Sequence, residues 1–252
     1  MRDFPAIELT WRDGLFAHWS MDPSRVRPLV PDALDLDCRD GSAWVSALPS
    51  VVEASRPHVF PDSVGMDFRQ VNLRTYVEYD GRPGVYFLSL DTSSGLGVRV
   101  ARSLYGLPYY RADIDFEKDY DLEGSQTTDA PTCRFVCERD HGEDDSARES
   151  PSARESPSAR FAATYRPIGR PSLAEPDSLD DFLTERYRLY VVRGGSAWCA
   201  RVEHAPWRLC SVEASVHADS LFEAAGLPAP DGDPLVRYSP QSRFTIRTPR
   251  RL

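Results

Sequence analysis

Between residues 68 and 91 the chain reads as one long β-hairpin, and this segment limits the available folds more than any other. The runs 68–79 and 85–91 flank Asp80-Gly81-Arg82-Pro83-Gly84, where two glycines and a proline punctuate the backbone. The first run alternates. It sets Leu73, Thr75, Val77 and Tyr79 on one face and Asn72, Arg74, Tyr76 and Glu78 on the other. The second face carries amide, guanidinium, phenol and carboxylate groups, which is too polar for ordinary core. A sheet that turns such a face inward encloses a pocket rather than a dry interior.

The same reading places short strands at 7–12 and 15–19, then a brief helix over 23–29 begun by Asp22 and closed before Pro31. A hairpin pairs 34–38 with 43–52 across Asp40-Gly41, a dipeptide that tolerates positive φ. Residues 96–105 have a helical pattern, and 109–116 returns to strand. Strands follow at 134–139 and 161–166, a helix capped by Ser178 runs to residue 187, and strands 189–193 and 197–204 turn at Gly194-Gly195. A strand over 209–216, a short helix over 220–225 and a last strand over 244–247 complete the chain. The pattern is an α+β fold dominated by hairpins.

At 252 residues with 41% hydrophobic side chains, the chain can bury one sizeable core, and residues 1–252 read as a single domain. Residues 146–160 spell Ser-Ala-Arg-Glu-Ser-Pro twice and then Ser-Ala-Arg, after the acidic run Glu143-Asp144-Asp145. That insert, about 141–160, holds no aromatic side chain and, apart from Pro151 and Pro157, no aliphatic one beyond alanine, and predicts a disordered expansion of a hairpin loop. Long loops cost little more to close than short ones.

The net charge of -9 repels phosphate backbones and anionic lipid surfaces, so neither nucleic acid nor membrane is expected as a partner. No run of 18 apolar residues occurs, and Met1-Arg2-Asp3-Phe4-Pro5 lacks the apolar stretch of a signal peptide. A cytoplasmic location is the expectation. Lys118 is the single lysine among 30 basic residues, which points to a high-GC or halophilic source. Five cysteines, an odd number, do not make a disulfide framework.

Ser94-Gly95-Leu96-Gly97, with Asp115 downstream, lacks the third glycine and the βαβ context of a dinucleotide turn, so no cofactor is expected. Cys133, Cys137 and His141 lack a fourth ligand and a close Cys-x-x-Cys knuckle, so no metal is expected either. His204-Ala205-Pro206-Trp207, beside Glu203, is the histidine neighbourhood best suited to a pocket wall, although a lone histidine of this kind is more often a hydrogen-bonded structural residue. No Gly-x-Ser-x-Gly elbow is present to anchor a hydrolase triad.

Gly14-Leu15-Phe16-Ala17-His18-Trp19, Leu29-Val30-Pro31, Asp40-Gly41-Ser42-Ala43-Trp44-Val45 and Asn72-Leu73-Arg74-Thr75-Tyr76-Val77 together resemble one family. So do Gly84-Val85-Tyr86-Phe87-Leu88-Ser89-Leu90-Asp91, Gly106-Leu107-Pro108-Tyr109-Tyr110, Leu183-Thr184-Glu185-Arg186-Tyr187 and His204-Ala205-Pro206-Trp207. The family is the uncharacterised YqjF-like proteins, itself similar to the acetoacetate-decarboxylase-like superfamily. The resemblance implies an α+β fold with a large curved, mainly antiparallel, barrel-like sheet around a central pocket. In acetoacetate decarboxylase a lysine pair in a Gly-x-Pro-Lys-Lys stretch forms a Schiff base. Here Tyr109 and Tyr110 occupy those positions, Gln70 stands where a glutamate is expected, and Lys118 lies among Asp115, Glu117 and Asp119 in sequence. Schiff-base chemistry is therefore not expected.

What remains is a pocket with Arg74, Tyr76, Arg102, Tyr109, Tyr110 and His204 as candidate lining residues. Arginine clamps carboxylates and tyrosine adds apolar surface with one hydrogen bond, a combination suited to a small, anionic organic ligand or carbonyl compound. Arg74 and Arg102 serve equally as buried bridges to Glu78, Asp91 or Glu185. Two functions stay open: a non-Schiff-base lyase or hydratase acting on a small carboxylate, and a non-catalytic ligand sensor or interaction scaffold. A homo-oligomer is compatible with either.

Overall fold

The computed structural model describes residues 4–95, 106–119, 130–139 and 157–252. The predicted helix over 96–105, Arg102, His141 and most of the repeat lie outside the described residues. Ala159 and Arg160, the last two residues of the repeat, already belong to a strand.

β1 (Pro5–Met21) is one long strand where two short runs were expected. Asp13, at φ 50, sits at the join. Pairing to the last long strand, β13 (Leu235–Arg247), continues through it as Arg12↔Gln241 and Gly14↔Ser239, while the register to β3 (Ala43–Pro57) shifts between Arg12 and Ala17. This bulge bends the strand without ending it. Asp40 and Gly41, both at positive φ, close the tight turn read from sequence, bridged by Arg39 and Ser42. The strand before that turn, β2 (Asp35–Leu36), pairs with β4 (Met66–Tyr79) instead of β3. β3 has both edges occupied by β1 and β4, and β2 takes over the β4 edge beyond the Val45↔Thr75 pair.

β4 returns through the long hairpin as β5 (Arg82–Thr92). β10 (Arg188–Arg193) then joins β5 in parallel at Leu189↔Val85. Gly84 permits the approach, since a Cβ there would lie 2.6 Å from the Tyr190 ring and 2.7 Å from the Arg188 carbonyl. β11 (Ser196–Glu203) pairs with β10 on one side and with β13 at Val202↔Ile246 and Glu203↔Thr245 on the other. The order β11-β10-β5-β4-β3-β1-β13 thus closes on itself as a ring. From β13 a four-strand wing continues through β12 (Arg208–His217), β9 (Ala159–Leu173), β8 (Thr132–Arg139) and β7 (Asp113–Asp119). Two small strands, β6 (Tyr109–Arg111) and β14 (Arg250–Arg251), add to β5 and β11.

Three short α-helices and two 3-10 turns, Arg27–Leu29 and Asp62–Val64, complete the described structure. α1 (Pro23–Val26) starts under the Asp22 cap, α2 (Leu179–Thr184) under Ser178, and α3 (Asp219–Ala224) packs on β9. α2 stops three residues earlier than the sequence pattern suggested, which frees Glu185, Arg186 and Tyr187 for side-chain contacts described below. Among the described residues no helix is long and apolar enough to cross a membrane.

The main core lies between ring and wing. Leu15, Ala17, Trp19, Val45, Ala47, Leu73 and Val77 from one face of the ring strands pack with Phe135, Phe161, Tyr165, Phe222 and Tyr238. Because side chains alternate, the even-numbered residues of β3 up to Val52, of β4 and of β1 beyond the bulge are left for the ring interior, joined by Leu9 and Trp11 from before the bulge. Their character decides what the ring can hold.

Candidate functional site

Pairing across β1, β3, β4 and β5 sets His18 opposite Ser46, Ser46 opposite Arg74, and Arg74 opposite Phe87. Residues that face each other across a ladder share one side of the sheet. One row of the interior therefore reads imidazole, hydroxyl, guanidinium, phenyl. In the adjoining row Leu48 faces Asn72, and Asn72 faces Leu90. His18, Ser46, Asn72 and Arg74 are all buried, with Arg74 7% exposed.

Within this row hydrogen bonds run His18 Nδ1 to Ser46 Oγ at 2.6 Å and Ser46 Oγ to Tyr76 Oη at 2.7 Å, and the Tyr76 hydroxyl donates to the Leu183 carbonyl at 2.9 Å. Arg74 NH2 donates to the same carbonyl at 3.2 Å. Leu183 lies in the last turn of α2, where carbonyls lack helical partners, and both side chains use its carbonyl. Three atoms of the row and its neighbour are buried with no hydrogen-bond partner: His18 Nε2, Asn72 Oδ1 and Arg74 Nε. Folded interiors satisfy most such groups, so these three are the atoms that a guest in the interior would pair with.

Charge points the same way. Three arginines are buried among the described residues. Arg186 contacts Asp37 at 2.6 Å and Arg139 contacts Asp91 at 3.1 Å. Arg74 makes no ion pair among the described residues. Of the carboxylates weighed as partners, Asp91 belongs to Arg139, and Glu185 accepts from the Trp207 N–H at 2.8 Å and from the Tyr187 hydroxyl. Burial lowers the Arg74 pKa, partly offset by Tyr76.

The other sequence candidates divide between two faces. Tyr109 packs with Leu90, Phe87 and Leu107 on the interior side, and burial pushes its phenol up to about 12, so it is a neutral donor. Tyr110 lies on the opposite side, its ring beneath the Arg139 guanidinium at 4.0 Å. Consecutive strand residues cannot share a face. His204 is half-buried in an aromatic wall, stacked on Tyr187 at 4.6 Å and tilted against Trp207 and Phe244. Burial lowers its pKa, and Arg74 is close enough to add to that effect. Trp207 in turn meets Phe16 edge-on at 4.8 Å, the neighbour of His18 in the interior.

Two residues that sequence reasoning did not single out belong here. His18 sits in the interior row itself, and Arg186 lies 5.1 Å above the Tyr76 ring. Lys118 is placed differently from its sequence neighbours. Asp115, Glu117 and Asp119 alternate onto the other face of β7, while the Lys118 ammonium reaches Asp13 at the β1 bulge, 2.8 Å away. Asp13 is also held by the Tyr238 hydroxyl at 2.5 Å, and its carbonyl by Tyr165 at 2.7 Å. In that assembly the lysine is an ion-paired donor, not a free amine. Cys133 and Cys137 are buried in the main core. Burial pushes the Cys133 thiol up to about 12. Among the described residues no three His, Cys, Asp or Glu side chains group closely enough to hold a metal ion.

A family described as an uncharacterised conserved protein, DUF2071, matches residues 8–243. A Bacillus subtilis (strain 168) protein, described as uncharacterised protein YqjF, is 39% identical over 231 residues, which are 91% of this chain and 86% of its relative. Solved structures share the fold at low identity. An acetoacetate decarboxylase-like enzyme from Sphingomonas wittichii RW1 superposes with a TM-score of 0.64 at 14% identity, covering 99% of this chain and 94% of that one. The enduracididine biosynthesis enzyme MppR, complexed with pyruvate, gives 0.61 at 14%, covering 100% and 91%. An acetoacetate decarboxylase from Legionella pneumophila gives 0.62 at 11%, covering 98% and 87%. The ring of mainly antiparallel strands is thus an acetoacetate-decarboxylase-like sheet.

Proposed function

The chain belongs to the DUF2071 family, and on that premise we propose that it binds a small organic acid inside the ring, with Arg74 as the anion anchor. One observation carries the proposal: Arg74 alone of the three buried arginines has no carboxylate partner among the described residues. A buried charge without a counter-charge is costly, and a bidentate carboxylate is the ligand a guanidinium matches best. Tyr109 supplies a neutral phenol and His204 part of an aromatic wall, as a small, partly apolar anion requires. A neighbour of the same fold has been solved with pyruvate, a ligand of this class. The reaction we assign is a lyase or hydratase step on a carboxylate or carbonyl compound that needs no Schiff base, since tyrosines stand at the lysine-pair positions. A second reading, a non-catalytic ligand sensor, is favoured by Gln70, a buried amide that cannot act as a carboxylate base. Both readings treat residues 1–252 as one domain, because ring and wing strands share the main core.

Calorimetric titration with pyruvate, propionate and lactate tests the anchor. The parent binds at least one of them, and Arg74→Met weakens that binding by about tenfold or more, the worth of a charge-assisted hydrogen bond. Absence of binding by all three acids, or an affinity unchanged in Arg74→Met, overturns the proposal.

A further inference from the structure

The interior row fixes one proton. Tyr76 gives its phenolic hydrogen to the Leu183 carbonyl, so the contact between Ser46 Oγ and Tyr76 Oη must use the serine hydrogen. With that hydrogen committed, Ser46 can only accept from His18 Nδ1. Nδ1 therefore carries the ring hydrogen. Burial, reinforced by the Arg74 guanidinium on β4 and the Arg237 guanidinium on β13, drives the His18 pKa well below 6.5. A neutral ring with Nδ1 protonated leaves Nε2 as a bare lone pair. Nε2 has no hydrogen-bond partner among the described residues, and His18 is 1% exposed.

The same interior thus holds two kinds of unmet demand. Arg74 seeks an anion, while His18 Nε2 and Asn72 Oδ1 seek a hydrogen. A simple carboxylate answers only the first. A keto acid offers acceptors alone and leaves both lone pairs orphaned. A carboxylate that bears a hydroxyl answers both at once.

We infer that the site is selective for hydroxy acids, with the carboxylate on Arg74 and the ligand hydroxyl donating to His18 Nε2. This rests on the anion-anchor reading above and adds a specificity-determining residue to it. Sites built to hydrogen-bond a ligand hydroxyl reject analogues lacking it, because the buried partner is then left unpaired.

The test compares lactate with propionate, which differ by the hydroxyl, on the parent, His18→Phe and Ser46→Ala. Long-range proton–nitrogen NMR of the parent's histidine rings reads the tautomer directly. The parent is expected to bind lactate about tenfold more tightly than propionate, and His18 is expected to carry its hydrogen on Nδ1. His18→Phe brings the ratio close to one, and Ser46→Ala reduces the ratio because the ring tautomer is no longer imposed. If neither acid binds the parent while pyruvate does, the anchor stands and the hydroxyl selectivity is overturned, and if pyruvate also fails the anion anchor itself falls. If both bind equally, or the preference survives in His18→Phe, the anchor stands and the hydroxyl selectivity is overturned. A hydrogen found on Nε2 overturns it without any variant, which matters should His18→Phe fail to fold. A buried water bridging Nε2 and Asn72 would appear as equal binding of the two acids.

Discussion

Arg74 and Arg139 are both buried, both arise on β-strands and both lie against a tyrosine, yet they are built to opposite ends. Arg139 ends β8 in the wing and crosses to the ring. It makes an ionic contact with Asp91 at 3.1 Å and stacks on Tyr110 at 4.0 Å, while Ser89 donates to the other Asp91 oxygen at 2.7 Å. Burial raises the Asp91 pKa despite that cation. The cluster's charges are matched, although Asp91 Oδ1 and Arg139 Nε make no hydrogen bond among the described residues. Arg74 has a shared carbonyl, a tyrosine ring at 5.8 Å and no acid. Burial of an arginine therefore says little about function, and the local balance of charge says much more.

The sharpest break of this contrast is a pair of truncations. Arg139→Met strands Asp91 in the interior and should lower unfolding free energy by about 3 to 5 kcal/mol. Arg74→Met strands no charge and should stay within about 1 kcal/mol of the parent. Urea midpoints on both variants decide it, and the reverse order would make Arg74 the structural arginine. A smaller effect sharpens the Arg74 side. His18 has a folded pKa below its unfolded 6.5, so on acidification the unfolded chain takes up the proton first. Stability from this group is present above pH 6.5 and declines as pH falls below it, by up to about 1.4 kcal/mol per pH unit. The parent's urea midpoint should fall more steeply than that of His18→Phe between about pH 6.5 and 5, and parallel slopes would show that the ring charges inside the fold. The smallest effect is expected from deleting residues 146–156, just beyond Arg139. β8 and β9 pair out to Arg139↔Ala159, and shortening the connection between them should change stability by less than about 0.5 kcal/mol. A loss of several degrees in Tm would mean that the repeat supports the wing.

The long hairpin and its polar face were legible because alternation is local: Asn72, Arg74 and Tyr76 had to share a side whatever the rest of the chain did. The same rule separates Tyr109 from Tyr110, and Lys118 from Asp115, Glu117 and Asp119, although sequence proximity had grouped them. His18 carried a signal that went unused, since it alternates with Leu15, Ala17 and Trp19 and so had to face away from their core. Arg186 gave no such sign, because it lies in the irregular turn after α2. The ring itself was legible only through family resemblance. Its closing pairs, Val85 of β5 with Leu189 of β10 and Val202 of β11 with Ile246 of β13, join residues 104 and 44 positions apart, and no local pattern encodes contacts of that range.

The final closure is short. The β1–β13 ladder runs from Pro5↔Arg247 to His18↔Leu235, but β11 meets β13 only at Val202↔Ile246 and Glu203↔Thr245. Arg247 clasps Glu203 there with two contacts of 3.0 and 2.9 Å, on a side chain 37% exposed to solvent. The stitch lies one residue from His204. Contacts this few and this wet open at low cost, and salt weakens them further. For any guest too large to pass the intact ring, residence time is then a property of this seam: raising ionic strength should quicken both entry and exit while leaving equilibrium selectivity to the row of side chains inside.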